Sequence, residues 1–468
     1  MAMIPGRIVI APLLACVCVD ISVAATLDRA WLKGYTDKNP VSYEVGDEIV
    51  FTVTPEDIDE PLPAGVFMLE WRRSGDDGVI DTGKASFDGR SPLVYRTRIN
   101  RPGFVRFEVY VCNTDGSRYL QTYNDDEGML EGRAAMNRFE KKPHYVFFDG
   151  GAGAGLGSVK PDPAPGDFDA FWEKQFSRLE RIPLLVRREV AINPIPGDES
   201  RIEAVEIACA GLRPVTGYVI RPTSAAKGGF PVRLQFFGYG VSEHRPPRGR
   251  YWKDEIVFEV NAHGIPLAEL GGTESDFKAL KARIGSNGFS YARDPVENAD
   301  PETAYFNGMV LRVKRALQYA KTLSDWNGKD LIASGGSQGA LQALWAVGCG
   351  EGVSEVDISI PWCCDIRGNM GRKGWYLVWT EALGYYDAIN WARRIPSDCF
   401  INITRAGLGD YTCPPMGIVK LWNVMTCPKR MTWVQGSQHG YIPCRTYVGR
   451  DWIWTSDLTD GLRKEHQK

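Results

Sequence analysis

The residues with the clearest potential for chemistry lie in one short stretch, residues 331–340, which reads LIASGGSQGA. Residues 335–339 match the pattern Gly-x-Ser-x-Gly, with Ser337 at the centre. An apolar run precedes the pattern, and a good helix-forming segment, residues 340–347, follows it. A strand, a sharp turn and a helix are what a nucleophile elbow requires, because the turn exposes the serine hydroxyl above a sheet. The stretch predicts a catalytic serine at Ser337; the alternative is a packing turn of small residues.

A serine hydroxyl needs a base that takes its proton and an acid that orients this base. In hydrolases with such an elbow the chain order is serine, acid, histidine, so the base must follow Ser337. Only His439 and His466 do so. His466 lies among the charged last residues, whereas His439 comes directly after the last predicted strand. We therefore expect His439 to be the base.

Two aspartates can serve as the acid, and each follows a predicted strand. Asp410 comes after the penultimate strand, and Asp365 comes after the strand before that one. Asp410 is nearer in chain order to the histidine strand, and glycines flank its approach. We expect Asp410 to orient His439, and Asp365 is the alternative.

The tetrahedral intermediate of acyl transfer needs preorganised hydrogen-bond donors for its oxyanion. One donor is expected from the backbone N–H of Gln338, directly after the nucleophile. The second should come from the loop after the predicted central strand at residues 231–237, where Gly238-Tyr239-Gly240 follows. We expect the backbone N–H of Tyr239 in this role, although the two glycines also suit a plain turn.

The elements that must position these residues form an α/β pattern. Antiparallel strands are predicted first, at residues 186–192, 202–208 and 216–220. Strands at 231–237, 256–260, 331–333, 356–360, 399–403 and 431–434 then alternate with helices, among them a long one at residues 305–323. This alternation predicts a mostly parallel sheet with helices on both faces. The fold class is α/β, and the elbow makes residues 167–468 an α/β-hydrolase catalytic domain.

Residues 26–148 are predicted to form a separate all-β domain. Short alternating runs are separated by turn residues, and in the clearest run Val105, Phe107, Val109 and Val111 share one face. The pattern indicates a small, immunoglobulin-like β-sandwich, whose role is either structural or carbohydrate-binding. Residues 149–166 are rich in glycine and then in proline, and we expect a linker there.

The first 25 residues are typical of an export signal. Arg7 precedes an apolar run too short for a membrane span, and small residues lie before Thr26. This predicts a secreted or periplasmic protein; lipoprotein anchoring at Cys16 is the alternative. Removal of Cys16 and Cys18 leaves nine of the eleven cysteines, with no C-x-x-C pair, so the sequence leaves disulfide pairing open.

Composition excludes several classes of function. The 468 residues, 44% hydrophobic and 24% charged, are typical of a globular protein of two domains. A net charge of -3 argues against a nucleic-acid binder, which would need a basic face. Beyond the signal no segment predicts a membrane span. The five histidines show no metal-binding spacing, so no metal is expected, and the serine, histidine and aspartate chemistry implies no organic cofactor.

Taken together, these residues resemble the acetyl xylan esterase and cephalosporin C deacetylase family of α/β-hydrolases. The similarity runs from about Pro165 to Ile453 and leaves out the β-domain. The matching segments are Phe168 to Trp172, Phe237-Gly238-Tyr239, Gly335 to Gly339, Pro361 to Asp365, and Gly407 to Asp410 with Cys413-Pro414-Pro415. By resemblance the catalytic serine, aspartate and histidine fall on Ser337, Asp410 and His439, and the oxyanion donors on Tyr239 and Gln338.

The resemblance implies a serine esterase that deacetylates acetylated carbohydrates, such as acetyl xylan or xylo-oligosaccharides, through an acetyl-enzyme intermediate. Two departures bear on the substrate and on the ring-like homo-oligomer of the family. Asn261-Ala262-His263-Gly264 stands where the family usually has Arg-Gly-Gln, and His439-Gly440 where it usually has His-Glu.

Two other functions are the alternatives. A serine peptidase of the prolyl-oligopeptidase type also joins a β-domain to this fold, but the front domain shows no propeller-like repeat. A catalytically inactive carbohydrate-binding protein would lack a member of the triad, and none is missing here.

Overall fold

The computed structural model describes residues 30–56, 58, 62, 65–122, 143–196, 200–223, 229–248, 253–285, 287–371, 375, 377–439 and 452–456. The predicted signal segment with Cys16 and the rejected base His466 lie outside the described residues. Among the helices of the described ranges, none has the length and apolar character needed to cross a membrane.

The N-terminal region is all-β, as predicted. Its strands in the described residues are β1 (Trp31–Thr36), β2 (Ile49–Glu56), β3 (Phe67–Gly75), β4 (Asp81–Phe87), β5 (Leu93–Thr97), β6 (Gly103–Asn113), β7 (Leu120–Thr122), β8 (Pro143–Tyr145) and β9 (Phe147–Ala154). One sheet has the order β1-β2-β5 and a second the order β4-β3-β6-β9, while β7 pairs with β8. The predicted apolar face of β6 is fully buried. The ring centroid of Phe107 in β6 lies 5.2 Å from that of Phe51 in the other sheet. The two sheets therefore share one core, as in a sandwich.

The expectation that the glycine-rich stretch begins a linker is wrong for residues 149–154, because these residues form most of β9 and pair with β6. The glycines allow a close approach of the second domain. A Cβ at Gly150 would lie 2.3 Å from Oε1 of Gln435, and a Cβ at Gly151 would lie 3.0 Å from the carbonyl oxygen of Leu408. The glycine run therefore marks a contact between the domains rather than a free connection.

The second domain has the predicted α/β arrangement. Its described strands and helices, apart from short 3-10 turns, are α1 (Phe168–Glu180), β10 (Val186–Ile192), β11 (Ser200–Ile207), β12 (Val215–Pro222), β13 (Phe230–Phe236), β14 (Ile256–Val260), α2 (Glu274–Arg283), α3 (Tyr305–Ala320), β15 (Trp326–Gly336), α4 (Gln338–Gly348), β16 (Glu355–Ser359), α5 (Ala388–Ala392), β17 (Phe400–Gly407), α6 (Pro415–Val424), β18 (Lys429–Val434) and β19 (Trp452–Thr455). One sheet has the order β10-β11-β12-β14-β13-β15-β16-β17-β18-β19.

The central strands of this sheet run parallel. Strands β14, β13, β15, β16, β17 and β18 pair in parallel with one another in that order, whereas all pairs that include β10, β11, β12 or β19 are antiparallel. The carboxyl ends of parallel strands meet at one edge of a sheet. The loops after β13, β15, β16, β17 and β18 therefore share that edge, and these loops carry all of the predicted site residues.

Helix α4 supports the elbow from below. Each of its residues is buried, and the helix packs against β15 and α3. The indole N–H of Trp345 donates a hydrogen bond to the carbonyl oxygen of Tyr386 at 3.0 Å, which satisfies the polar atom of this buried ring. A helix that is buried along its whole length gives the turn at Ser337 a rigid support.

Candidate active site

Ser337 occupies the turn between β15 and α4 and is half-buried. Its backbone has φ 56° and ψ -118°, a conformation that costs energy for a residue with a side chain. The turn is held from a neighbouring strand, because the N–H of Ser337 donates to the carbonyl oxygen of Ser359 at 3.0 Å. This strained strand-to-helix turn is the geometry predicted for a nucleophile elbow.

Two glycines allow the elbow to close. A Cβ at Gly335 would lie 2.6 Å from the carbonyl carbon of Gly339, and a Cβ at Gly339 would lie 2.4 Å from the carbonyl oxygen of Phe236. Both distances are too short for real atoms, so each position requires glycine. The second contact also brings the end of β13 against the first turn of α4. The loop after β13 is thereby adjacent to Ser337.

His439 and Asp410 contact each other at the ends of β18 and β17. Nδ1 of His439 lies 3.0 Å from Oδ2 of Asp410. The other carboxylate oxygen, Oδ1, accepts the backbone N–H groups of Thr412 at 3.0 Å and of Cys413 at 2.9 Å. Asp410 is fully buried, whereas the imidazole of His439 is partly exposed. This arrangement holds the carboxylate in one orientation and leaves Nε2 of His439 for proton transfer.

The predicted oxyanion donors lie on the two elements that meet at the elbow. Gln338 is the first residue of α4, so its backbone N–H belongs to those that have no partner within the helix. Tyr239 follows β13, and the position of a Cβ on the preceding Gly238 would lie 3.7 Å from the carbonyl oxygen of Gly336. The loop with Tyr239 thus passes directly along the elbow.

Tyr291 ties this loop to helix α4. Its hydroxyl accepts the backbone N–H of Gly240 at 3.0 Å and donates to Oε1 of Gln338 at 2.7 Å. The ring of Tyr239 stacks on Tyr291 with 4.4 Å between the centroids, and its hydroxyl donates to the carbonyl oxygen of Tyr291 at 2.9 Å. Burial raises the pKa of Tyr291, so its hydroxyl stays protonated and keeps its hydrogen to donate. Both candidate oxyanion donors are therefore fixed relative to each other.

Part of the amino-acid sequence matches a known protein family. Residues 159–371 match the family model described as acetyl xylan esterase (AXE1). This match spans 213 of the 468 residues. Acetyl esterase Axe7A of Xylanibacter ruminicola is 27% identical over 306 residues, which span 62% of this chain and 66% of that relative, a little less than two thirds of its length.

A solved structure shares the fold. The acetyl xylan esterase from Paenibacillus sp. R4 superposes with a TM-score of 0.52 at 20% sequence identity, and the match covers 62% of this chain and 94% of that one. The comparisons confirm the predicted resemblance to the acetyl xylan esterases and the α/β-hydrolase fold. The names of the matched proteins are those of carboxylic ester hydrolases, the class that the sequence predicts.

The departure from the family at residues 261–264 has a clear structural role. His263 is buried, and its Nδ1 lies 2.8 Å from the hydroxyl of Tyr305 while its Nε2 lies 3.0 Å from the carbonyl oxygen of Gly240. Burial lowers the pKa of His263 to about 3, so the imidazole is neutral. A neutral imidazole donates from one nitrogen and accepts at the other, which suits these two partners. His263 thus fixes the loop with Tyr239 at Gly240, beside Tyr291, whose ring centroid lies 4.7 Å from that of the imidazole.

Asp365, the alternative acid, has a different partner. Its Oδ2 accepts a hydrogen bond from Nζ of Lys420 at 2.6 Å, and its backbone N–H donates to Oδ1 of Asp387. The structure therefore brings Asp410 to His439 and leaves Asp365 in an ion pair on the neighbouring loop. This favours the choice of Asp410 made from chain order.

Cys413 lies beside the Asp410–His439 pair. Its Sγ is 3.6 Å from Nδ1 of His439 and donates to the carbonyl oxygen of Ile360 at 3.1 Å. Ligand atoms of Asp410, Cys413 and His439 lie within 4.8 Å of one another, which is close enough to hold a metal ion. Within this group, Oδ2 of Asp410 already contacts Nδ1 of His439, and the Cys413 thiol donates its hydrogen to Ile360. The group therefore suits proton transfer better than metal binding.

Sequence reasoning missed the residues that hold the site together. Tyr291 carries no motif, because it reaches Gly240 and Gln338 from 51 and 47 residues away in the chain. His263 stood out as a departure from the family, and that was the signal by which its role could have been found. Cys413 was part of a matching segment, but its contact with His439 was not foreseen. The eight cysteines in the described residues, Cys413 among them, are free and buried.

Proposed function

We propose that this chain is a serine esterase that removes acetyl groups from acetylated carbohydrates, such as acetyl xylan or xylo-oligosaccharides. The observation that carries the proposal is the contact of His439 with Asp410 at 3.0 Å, at the sheet edge where Ser337 occupies the elbow. Support for the acetyl group and for the sugar comes from the family match over residues 159–371 and from the names of the relatives.

In the proposed reaction the Ser337 hydroxyl attacks the acetyl carbonyl carbon while Nε2 of His439 takes its proton. Asp410 accepts the Nδ1 hydrogen and stabilises the imidazolium that forms. The carbonyl oxygen becomes an oxyanion, which accepts hydrogen bonds from the backbone N–H groups of Tyr239 and Gln338. When the intermediate collapses, His439 donates its proton to the leaving sugar oxygen, and an acetyl ester remains on Ser337.

Deacylation repeats these steps with water. His439 removes a proton from water, the hydroxide attacks the acetyl-enzyme, and acetate leaves as Ser337 regains its proton. Each proton has a donor and an acceptor among this chain, the substrate and water. The predicted signal at residues 1–25 further supports export to where such polysaccharides occur, outside the cytoplasm.

A panel of substrates tests this function. The purified protein is assayed for acetate release from acetylated xylan, and for hydrolysis of 4-nitrophenyl acetate, 4-nitrophenyl butyrate and a proline-containing peptide amide. We expect turnover of acetylated xylan and of the acetyl ester, weaker turnover of the butyryl ester and no cleavage of the amide. Cleavage of the amide in preference to the esters would favour the peptidase. Binding of xylan without hydrolysis of any ester would favour the inactive binding protein.

A further inference from the structure

The β-sandwich touches both loops that carry the acid and the base. Strand β9 lies against the loop after β17, where a Cβ at Gly409 would be only 2.0 Å from the carbonyl oxygen of Asp149. Asp410 is the next residue, so the first domain contacts the loop one residue before the candidate acid. The guanidinium of Arg106 in β6 lies over the ring of the following residue, Tyr411, with 4.2 Å between the guanidinium carbon and the ring centroid.

A buried ion pair of the sandwich reaches the loop of the base. Both oxygens of Asp149 accept from the guanidinium of Arg106, at 2.8 and 2.6 Å. Oδ2 of Asp149 also accepts from Nε2 of Gln438 at 2.5 Å, and Gln438 directly precedes His439. Asp149 is fully buried, so its carboxylate has a fixed place. A charge-assisted hydrogen bond from such an anchor strongly restricts the position of Gln438.

A second amide fastens the same loop to the backbone of β9. Oε1 of Gln435 accepts the N–H of Gly151 at 2.9 Å, and its Nε2 donates to the carbonyl oxygen of Gly151 at 2.8 Å. Gln435 is buried, and the missing Cβ at Gly150 leaves the space in which its Oε1 lies. The side chain thus pairs with the strand much as a neighbouring strand would.

We propose that the β-sandwich is a structural part of the active centre, and that Gln435 and Gln438 are positioning residues through which Asp149 and Gly151 hold the loops of His439 and Asp410. This inference rests on the proposed function, because it assigns the loops a catalytic role. Loops are the mobile parts of a fold, and catalytic groups need placement within a fraction of an ångström. On the side of the β-sandwich these contacts come from strand β9, whereas on the side of the α/β domain they come from loops.

Two substitutions remove these contacts while keeping side chains of similar size. Gln438→Met removes the bond to Asp149, and Gln435→Met removes both bonds to Gly151. Asn423→Ala is the matched control, because Nδ2 of Asn423 donates to the carbonyl oxygens of Leu156 and Val159, both at 2.9 Å, away from the loops of His439 and Asp410. All three variants are compared as the full chain, below the unfolding temperature of each.

The kinetic readout is kcat and KM for 4-nitrophenyl acetate. For Gln438→Met and Gln435→Met we expect kcat to fall by about tenfold to a hundredfold, since a displaced catalytic group loses its alignment with the substrate. KM should change by less than about threefold, because Gln435 is buried and the amide of Gln438 bonds to Asp149. Asn423→Ala should keep the kcat of the wild type. Equal kcat values for all four proteins would overturn the proposal.

Hydrogen–deuterium exchange tests the positioning role of the two glutamines without a measurement of enzyme activity. We expect Gln435→Met and Gln438→Met to increase exchange of the backbone amides in residues 408–413 and 435–439, and Asn423→Ala to leave these amides as in the wild type. Unchanged exchange in both glutamine variants would contradict the positioning role even if kcat fell. A wild type that hydrolyses no ester would count against the proposed function alone, because the exchange experiment still reports whether the sandwich holds the loops.

Discussion

Nδ1 of His439 lies 3.0 Å from Oδ2 of Asp410, and the backbone N–H groups of Thr412 and Cys413 occupy the other oxygen of the carboxylate. The buried carboxylate therefore has one oxygen left for the imidazole. This favours the tautomer with hydrogen on Nδ1 and leaves Nε2 without a hydrogen, which is the state that the proposed reaction requires of the base. The pair is thus prepared before a substrate binds.

The first prediction concerns this pair. Asp410→Asn should lower kcat for an acetyl ester by about 10⁴-fold, because the amide can donate to Nδ1 and so favour the wrong tautomer of His439. KM should change little, since the substrate does not contact Asp410. Steady-state kinetics on 4-nitrophenyl acetate measure both quantities.

Asp365→Asn is the comparison for this prediction. It removes the charge that Lys420 contacts but does not alter the partner of His439. We expect it to retain activity to within about tenfold, with any loss due to the unpaired lysine. The assignment would be reversed if Asp365→Asn lost more activity than Asp410→Asn.

The second prediction concerns the oxyanion loop. Tyr291→Phe keeps the ring that stacks on Tyr239 but removes the hydroxyl that joins Gly240 to Gln338. The two backbone donors then lose their common anchor, so we expect kcat to fall by about tenfold, less than the loss of a donor itself would cause. The measurement is kcat and KM on acetyl esters; a variant with wild-type kcat would show that the loop needs no such anchor.

The third prediction concerns stability at acid pH. The pKa of His263 is lowered from 6.5 to about 3 by burial, so between these values the unfolded chain takes up a proton that the folded protein does not. The stability contributed by neutral His263 is present above about pH 6.5 and is lost as the pH falls towards 3, by about 1.4 kcal/mol for each pH unit.

Urea unfolding of the wild type and of His263→Gln at about pH 7.5 and about pH 5 measures this effect. The glutamine amide can bond to Gly240 and Tyr305 without titrating. From the higher to the lower pH, the free energy of unfolding should fall by about 2 kcal/mol more for the wild type than for the variant. Equal losses would mean that His263 takes up its proton over the same pH range in the folded and the unfolded protein.

The fourth prediction concerns the contact of Gly409 with the sandwich. Gly409→Ala places a Cβ 2.0 Å from the carbonyl oxygen of Asp149, so either the loop or β9 must shift. We expect a loss of about 1–3 kcal/mol in the free energy of unfolding, together with a lower kcat. Gly157→Ala is the control, because nothing lies within 4 Å of its Cβ position. Similar stability and kcat for the two variants would contradict the tight contact.

Local patterns and chain order were sufficient to predict the turn at Ser337 and the contact between His439 and Asp410. Gly335, Ser337 and Gly339 lie between an apolar run and a helix-forming segment, and this pattern predicts a sharp turn. The geometry of such a turn depends on its own residues and on one adjacent strand. The choice of His439 and Asp410 depended on chain order, which the parallel sheet converts into a shared edge. These inferences required only residues that are close in the chain or that lie on adjacent strands.

Contacts between distant segments were beyond such reasoning. The glycine run at residues 150–154 resembles a linker in composition, yet it is part of a strand that pairs with β6. Gln435, 284 residues from Gly151, fills the space that a side chain at Gly150 would need. The bonds from Tyr291 and His263 to Gly240 likewise join segments with no common pattern. Such pairs become visible only when the sheet brings the segments together.

The most direct test of the account is whether Ser337 carries the acetyl group during turnover. Wild type and Ser337→Ala are assayed for acetate release from acetylated xylan and from a generic acetyl ester, and each protein is treated with a fluorophosphonate probe and digested for mass spectrometry. We expect that the wild type cleaves both substrates and is labelled on Ser337, and that the variant loses nearly all of its activity and its label. Undiminished acetate release by Ser337→Ala would contradict it.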